Sequence, residues 1–247
     1  MTGLLWVTVP YVAFTSFLLG HIWRYRHDQF GWTTRSSQLH ESRLLRLGSP
    51  LFHFGLLAVL GGHVLGIAIP ASWTAAVGVS EHAYHLMSVS FGTLSGLATV
   101  AGLGILLYRR STVPAVRKAT TRIDKGMYLL LSAAIGTGMV NTLGSNLIGG
   151  GYDYRATVSP WFRSLFTIHP QPELMAGIPV SFQIHALVVL TLLGIWPYTR
   201  LVHVFSAPLG YLTRPYVVYR SRDVNHPGAH RYARAWEVSA PPTPRRR

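Results

Sequence analysis

Five runs of apolar residues, at positions 4–23, 49–70, 83–108, 126–150 and 177–205, dominate this 247-residue sequence. Each is long enough to cross a bilayer as a helix, which takes about 20 residues. Hydrocarbon offers the backbone no water, so a single spanning segment must satisfy its own N–H and C=O groups, and only a helix does so. The pattern therefore predicts an all-α integral membrane protein, with five transmembrane helices in one bundle. The charged fraction agrees: it is 12%, against about a quarter in an ordinary soluble domain. The first run could pass for a secretory signal. No basic stretch precedes it and basic residues follow it, so it reads as a retained helix.

The basic residues lie between the runs, and their distribution gives an orientation. Arg24, Arg26, Arg35, Arg43 and Arg46 follow the first run; Arg109, Arg110, Arg117, Lys118, Arg122 and Lys125 follow the third; nine more arginines lie from Arg200 to the C-terminus. Arg155 and Arg163 stand alone on the other side. The positive-inside bias then predicts the N-terminus outside and the C-terminus in the cytoplasm. A net charge of +14 would suggest nucleic acid on a soluble domain. Here it reflects topology, and attraction to acidic membrane lipid or a cytoplasmic partner, so no nucleic-acid partner is expected. Residues 1–222 read as the membrane domain and 223–247 as a polar, basic cytoplasmic tail. The chain has no cysteine, which excludes thiolate metal sites and an iron–sulfur cluster held by this chain alone. No phosphate-binding glycine loop and no hydrolase-like serine or carboxylate arrangement is present.

Imidazoles are costly in lipid without partners, yet the second run carries His53 and His63, and the fifth carries His185 and His203. The two runs are antiparallel, so His53 meets His203 near one face and His63 meets His185 near the other. Two neutral imidazoles facing each other across a gap are what a six-coordinate haem iron needs. His185 and His203 share a helix face, whereas His53 and His63 lie about 80° apart around their axis, and the axial separations differ, at roughly 15 Å against roughly 27 Å on straight helices. Pro197 is expected to kink the fifth helix between its two histidines. The same four residues also suit helix-packing histidines bonded across a bundle.

Several stretches carry a resemblance: "WRYRHDQFGWTTRSSQ" after the first run, "SPLFHFGLLAVLGGH" in the second, "RKATTRID" before the fourth, and "RLVHVFSAPLGYLTRPY" at the end of the fifth. Through about Arg222 the chain resembles the gamma (cytochrome b) subunit of respiratory nitrate reductase. The resemblance implies two b-type haems, a proximal one on His53 and His203 and a distal one on His63 and His185. It implies oxidation of quinol, with menaquinol the expected form, near the outer face of the bacterial cytoplasmic membrane. It also implies two partners, an iron–sulfur beta subunit and a molybdenum alpha subunit that reduces nitrate.

The family keeps a lysine near the quinol site, where this sequence reads "SEHAYHLM". His82 and His85 are therefore candidate proton acceptors, set against a simpler role as interfacial residues. Arg109, Arg110 and Arg200 are candidate contacts to haem propionates, set against ordinary charges at a membrane face. Thr120 or Thr121 with Asp124 fits a helix cap. Tyr211, Arg214 and Tyr216 are candidate partner contacts, and His21 is read as a non-ligand. Two other functions fit the same chain: a dihaem anchor of a different quinol-linked reductase, and a haem-free membrane anchor or transporter.

Overall fold

The computed structural model describes residues 3–32, 37–148 and 151–206. Arg35, the three candidate partner contacts Tyr211, Arg214 and Tyr216, and the expected boundary at residue 222 lie outside the described residues. All regular structure among those described is helical. Five helices are long and apolar enough to cross a membrane: α1 (Leu4–His27), α2 (Arg43–Ala68), α4 (Glu81–Thr112), α6 (Arg122–Ser145) and α8 (Val180–Tyr198). Three short helices connect them: α3 (Ala71–Ala76), α5 (Pro114–Lys118) and α7 (Val158–Phe166). Much of the spanning surface is exposed and apolar, as at Leu18, Leu19, Phe54, Leu57, Leu86, Phe91 and Leu94. Exposed apolar area on that scale needs a lipid or protein environment.

The helices pack in the order α2, α4, α6, α8, α1. Small residues set the closest approach, between α2 and α4. A Cβ on Gly55 would lie 2.7 Å from Thr99 Oγ1 and 2.8 Å from its backbone nitrogen, so only glycine lets these backbones meet. Two apolar cores hold the bundle. One gathers Trp6, Ala13, Trp161, Leu165, Met175, Ile178 and Leu190; the other gathers Phe52, Leu103, Met127, Leu131, Ala134, Leu192 and Leu201. The first pins α7 and the loop before α8 over the start of α1, where Trp161 Nε1 donates to Trp6 O at 2.9 Å.

Local chemistry fixes where helices start. Ser80 caps α4 by accepting the Ala83 N–H at 3.2 Å. Of the two threonines that could cap α6, Thr121 does so. Its hydroxyl accepts from Asp124 N at 3.2 Å and its own N–H donates to Asp124 Oδ2 at 2.9 Å, a reciprocal capping box. The last turns of α2 (Val64–Ala68) and α6 (Val140–Ile148) widen to π-helix.

The fifth run differs from expectation. The sequence predicts one kinked helix to residue 205, but the α-helix stops at Ile195, a 3₁₀ turn covers Trp196–Tyr198, and Thr199 is extended (φ −112°, ψ −179°) before a second 3₁₀ segment, Arg200–Ser206. Pro197 has no N–H to continue the helix. The Thr199 hydroxyl closes the break, donating to Trp196 O at 2.9 Å and accepting from Leu201 N at 3.2 Å. His185 and His203 therefore do not lie on one straight rod, and the spacing expected of a straight helix does not apply to them.

Candidate functional site

Two opposed imidazole pairs stand between α2 and the α8 strand of chain. The ring centres of His53 and His203 are 6.0 Å apart, with planes at 71°. Those of His63 and His185 are 6.1 Å apart, with planes at 38°. A metal ion shared by two imidazoles sets about this separation: two metal–nitrogen bonds of about 2 Å plus about 1 Å from each nitrogen to its ring centre give about 6 Å.

The tautomers agree with ligation. His53 Nδ1 donates to Ser49 O at 2.7 Å, His63 Nδ1 to Val59 O at 2.8 Å, and His203 Nδ1 to Arg200 O at 2.7 Å. His185 Nδ1 lies 3.0 Å from Thr137 Oγ1, whose own proton is directed to Ala133 O at 2.7 Å. With Nδ1–H engaged in all four rings, Nε2 is the nitrogen with a free lone pair. Among the described residues no group of three His, Cys, Asp or Glu converges to hold an ion. Each pair offers two ligands, which suits an iron whose other four come from a macrocycle. The residues present thus fit a haem at each pair.

The basic ends of α4 and of the last span lie toward the same end of the bundle as the first pair. Arg109 is 2% exposed and ties α4 to the segment before α2. Its Nε meets Glu41 Oε2 at 2.6 Å, Nη1 meets Ser37 Oγ at 2.9 Å, and Nη2 meets Ser37 O and Glu41 O at 2.8 and 2.6 Å. Burial works to raise the Glu41 carboxyl, but the Leu44 N–H and the Arg109 guanidinium outweigh it and hold it below its ordinary value. Arg110 donates to Thr120 Oγ1 at 2.9 Å and covers the Tyr128 ring at 4.8 Å. Arg200 grips Asp124 with Nε and Nη2 at 2.7 and 2.5 Å, three residues before His203.

At the opposite end, the turn after His63 is held by groups that sequence reasoning read only as outer loop. Ser159 Oγ donates to Gly66 O at 2.9 Å and Arg163 Nη1 to Ile67 O at 2.9 Å. A Cβ on Gly66 would lie 2.6 Å from Tyr154 Oη and 3.1 Å from Tyr84 Oη, so the first turn of α4 rests against this turn of α2. Arg155 lies 3.9 Å over the Tyr84 ring and donates to Glu81 at 3.3 Å and Thr74 Oγ1 at 3.0 Å. Burial, reinforced by the Tyr84 hydroxyl, pushes the Tyr154 phenol above its ordinary range. His82 and His85 flank Tyr84 on this turn and are exposed. His21 sits among Phe17, Trp32 and Phe205, with Nδ1 bonded to Phe17 O at 2.7 Å, apart from both pairs. Thr137 was missed because nothing in the sequence says which hydroxyl of α6 faces α8.

Residues 2–222 match the family model described as nitrate reductase gamma subunit. The nitrate reductase-like protein NarX of Mycobacterium tuberculosis is 56% identical over 90% of this chain, and the chain spans about a third (34%) of that relative's length. The nitrate reductase gamma chain of Bacillus subtilis is 48% identical over 90% of this chain and all of its own length. The respiratory nitrate reductase 2 gamma chain of Escherichia coli is 34% identical over 86% of this chain and 94% of its own. Five spanning helices and this match over most of the sequence agree: the chain belongs to the nitrate reductase gamma subunit family.

Proposed function

We propose that this chain is the membrane cytochrome b subunit of a respiratory nitrate reductase in the bacterial cytoplasmic membrane. The observation that carries the reading is the geometry of the two imidazole pairs: ring centres 6.0 and 6.1 Å apart, with every Nδ1 turned to an acceptor. His53 and His203 hold one b haem at the arginine-rich, cytoplasmic end; His63 and His185 hold the other near the outer face. Haem, when bound, supplies one-electron chemistry that the side chains lack. The polypeptide spaces the two groups across the membrane and fixes their ligands. It delivers electrons from quinol to the iron–sulfur beta subunit, and the molybdenum alpha subunit reduces nitrate.

Quinol, expected as menaquinol, gives up two electrons and two protons. His82 and His85 receive those protons, on the turn of α4 that lies beside the turn following His63. Their exposure leaves them a path to the outer aqueous phase, so protons released there add to the transmembrane potential. Arg109, Arg110 and Arg200 build the cytoplasmic rim, with the guanidinium groups of Arg109 and Arg200 turned to the carboxylates of Glu41 and Asp124.

The test is a reduced-minus-oxidised visible spectrum with haem stoichiometry on the purified chain, its His63→Ala variant and its His203→Ala variant. Two b haems in the parent, with a different one lost in each variant, is the expected result. A folded parent without haem overturns the reading and leaves a membrane anchor. Co-purification of subunits for another reductase would redirect the acceptor but not the haem sites.

A further inference from the structure

Three of the four paired histidines sit inside long helices, and His203 does not. It lies on the 3₁₀ segment Arg200–Ser206, beyond the break at Thr199. Such segments have poor hydrogen-bond geometry and hold little structure by themselves. The His203 ring is nevertheless oriented by the carbonyl of Arg200, at 2.7 Å. Whatever fixes the backbone at Arg200 therefore fixes the ring.

Two guanidinium groups supply that hold, one buried and one half-buried. Arg24, on α1 and 8% exposed, directs Nη1 to Pro197 O and Thr199 O at 2.6 and 2.8 Å, and Nη2 to Gly31 O at 2.7 Å. These carbonyls lie at the break, where the chain leaves the α-helix after Ile195, and Arg24 supplies them with donors. Arg200 lays its fork on both oxygens of Asp124, at 2.7 and 2.5 Å. Asp124 is 4% exposed and is itself locked in the capping box with Thr121. A buried ion pair of this kind contributes less to net stability than its Coulomb energy suggests, and its better-attested use is to specify one geometry. Leu201 and Val202, both buried, seat the segment from below.

We propose that Asp124 and Arg24 are positioning residues for His203. Asp124 acts through Arg200, Arg24 acts through the carbonyls of the helix break, and together they aim the His203 imidazole at His53. The inference rests on reading that pair as a haem site. It makes the two sites different in construction: the His63–His185 pair is carried by helices, and the His53–His203 pair is aimed by a charged clamp from α1 and α6.

The test uses the full-length chain with its co-purifying subunits, as Asp124→Asn and Arg24→Lys. Asn keeps the size and a capping acceptor but removes the charge that faces the Arg200 fork. Lys keeps the charge of Arg24 but cannot bridge several carbonyls with one planar group. Readouts are haem per chain, the midpoint potential of each haem, and the low-spin EPR signal, which follows the angle between the two imidazole planes. Each variant is expected to hold the His53–His203 haem about tenfold less tightly, with a shifted potential and an altered EPR signal. The His63–His185 haem, unchanged in all three, reports that the bundle is folded. Wild-type values for both haems in both variants would overturn the proposal, and so would equal disturbance of both haems, which marks a general packing role. A parent chain without haem fails at the underlying reading instead, and is recognised by that.

Discussion

Thr137→Val removes one oxygen and tests the arrangement around His185. The Thr137 hydroxyl proton points to Ala133 O at 2.7 Å, so toward His185 Nδ1, 3.0 Å away, the oxygen can only accept. That fixes the ring proton on Nδ1 and leaves Nε2 free to ligate. Valine has nearly the same shape and no acceptor. The half-buried Nδ1–H then loses this acceptor, a cost of about 1–3 kcal/mol at most, equivalent to about 5–150-fold in affinity. Outer-shell partners of metal ligands lose about 10–100-fold when removed, within the same range. We expect Thr137→Val to bind the haem at His63–His185 about tenfold more weakly, and Thr137→Ser to stay within about threefold of the parent. Haem loss to an apo-acceptor protein, followed by visible spectroscopy, measures both. Retention by Thr137→Val equal to the parent at this site would refute the assigned tautomer and the role of the hydroxyl.

The Glu41–Arg109 tie gives a pH signature. A carboxyl held below its ordinary value of 4.5 stabilises the fold above that pH and loses its contribution as pH falls through the lowered value. Below pH 4.5 the melting midpoint of the parent should therefore drop more steeply than that of Glu41→Gln, and parallel curves would remove the tie. Gly55→Ala forces a Cβ against the Thr99 backbone at 2.8 Å; overpacking of this kind costs about 1–3 kcal/mol, read as earlier unfolding in a detergent titration. His82→Ala with His85→Ala should slow oxidation of a soluble quinol analogue by about 100-fold while the haem spectrum stays intact, and an unchanged rate returns both residues to the interface.

What the sequence made legible follows from what lipid forbids. Apolar length alone locates five spans, and the structure has five helices long and apolar enough for them, although the fifth stops short of residue 205, because no other conformation closes the backbone hydrogen bonds there. The four histidines stand out for the same reason, as polar groups that hydrocarbon penalises. The end of α8 was not legible. Proline is compatible with a kink as well as a stop, and the carbonyls at the break meet donors from Arg24, which lies 173 positions away. The roles of Asp124, Ser159 and Arg163 were hidden likewise, since each acts on a backbone carbonyl or guanidinium that only the fold brings near. Local rules did succeed where the partners are adjacent in sequence, as in the cap of Thr121 and Asp124.

Each histidine pair joins an imidazole from α2 to one from the last span or just beyond, at separations of 150 and 122 positions. During biosynthesis α2 and α4 can zip together along their glycine seam while most of the chain is still being made. Neither imidazole of α2 has its opposite number until α8 has left the insertion machinery. A group shared by either pair can therefore be held from both sides only after α8 is made. A chain cut short before α8 would carry His53 and His63 without the imidazoles that face them.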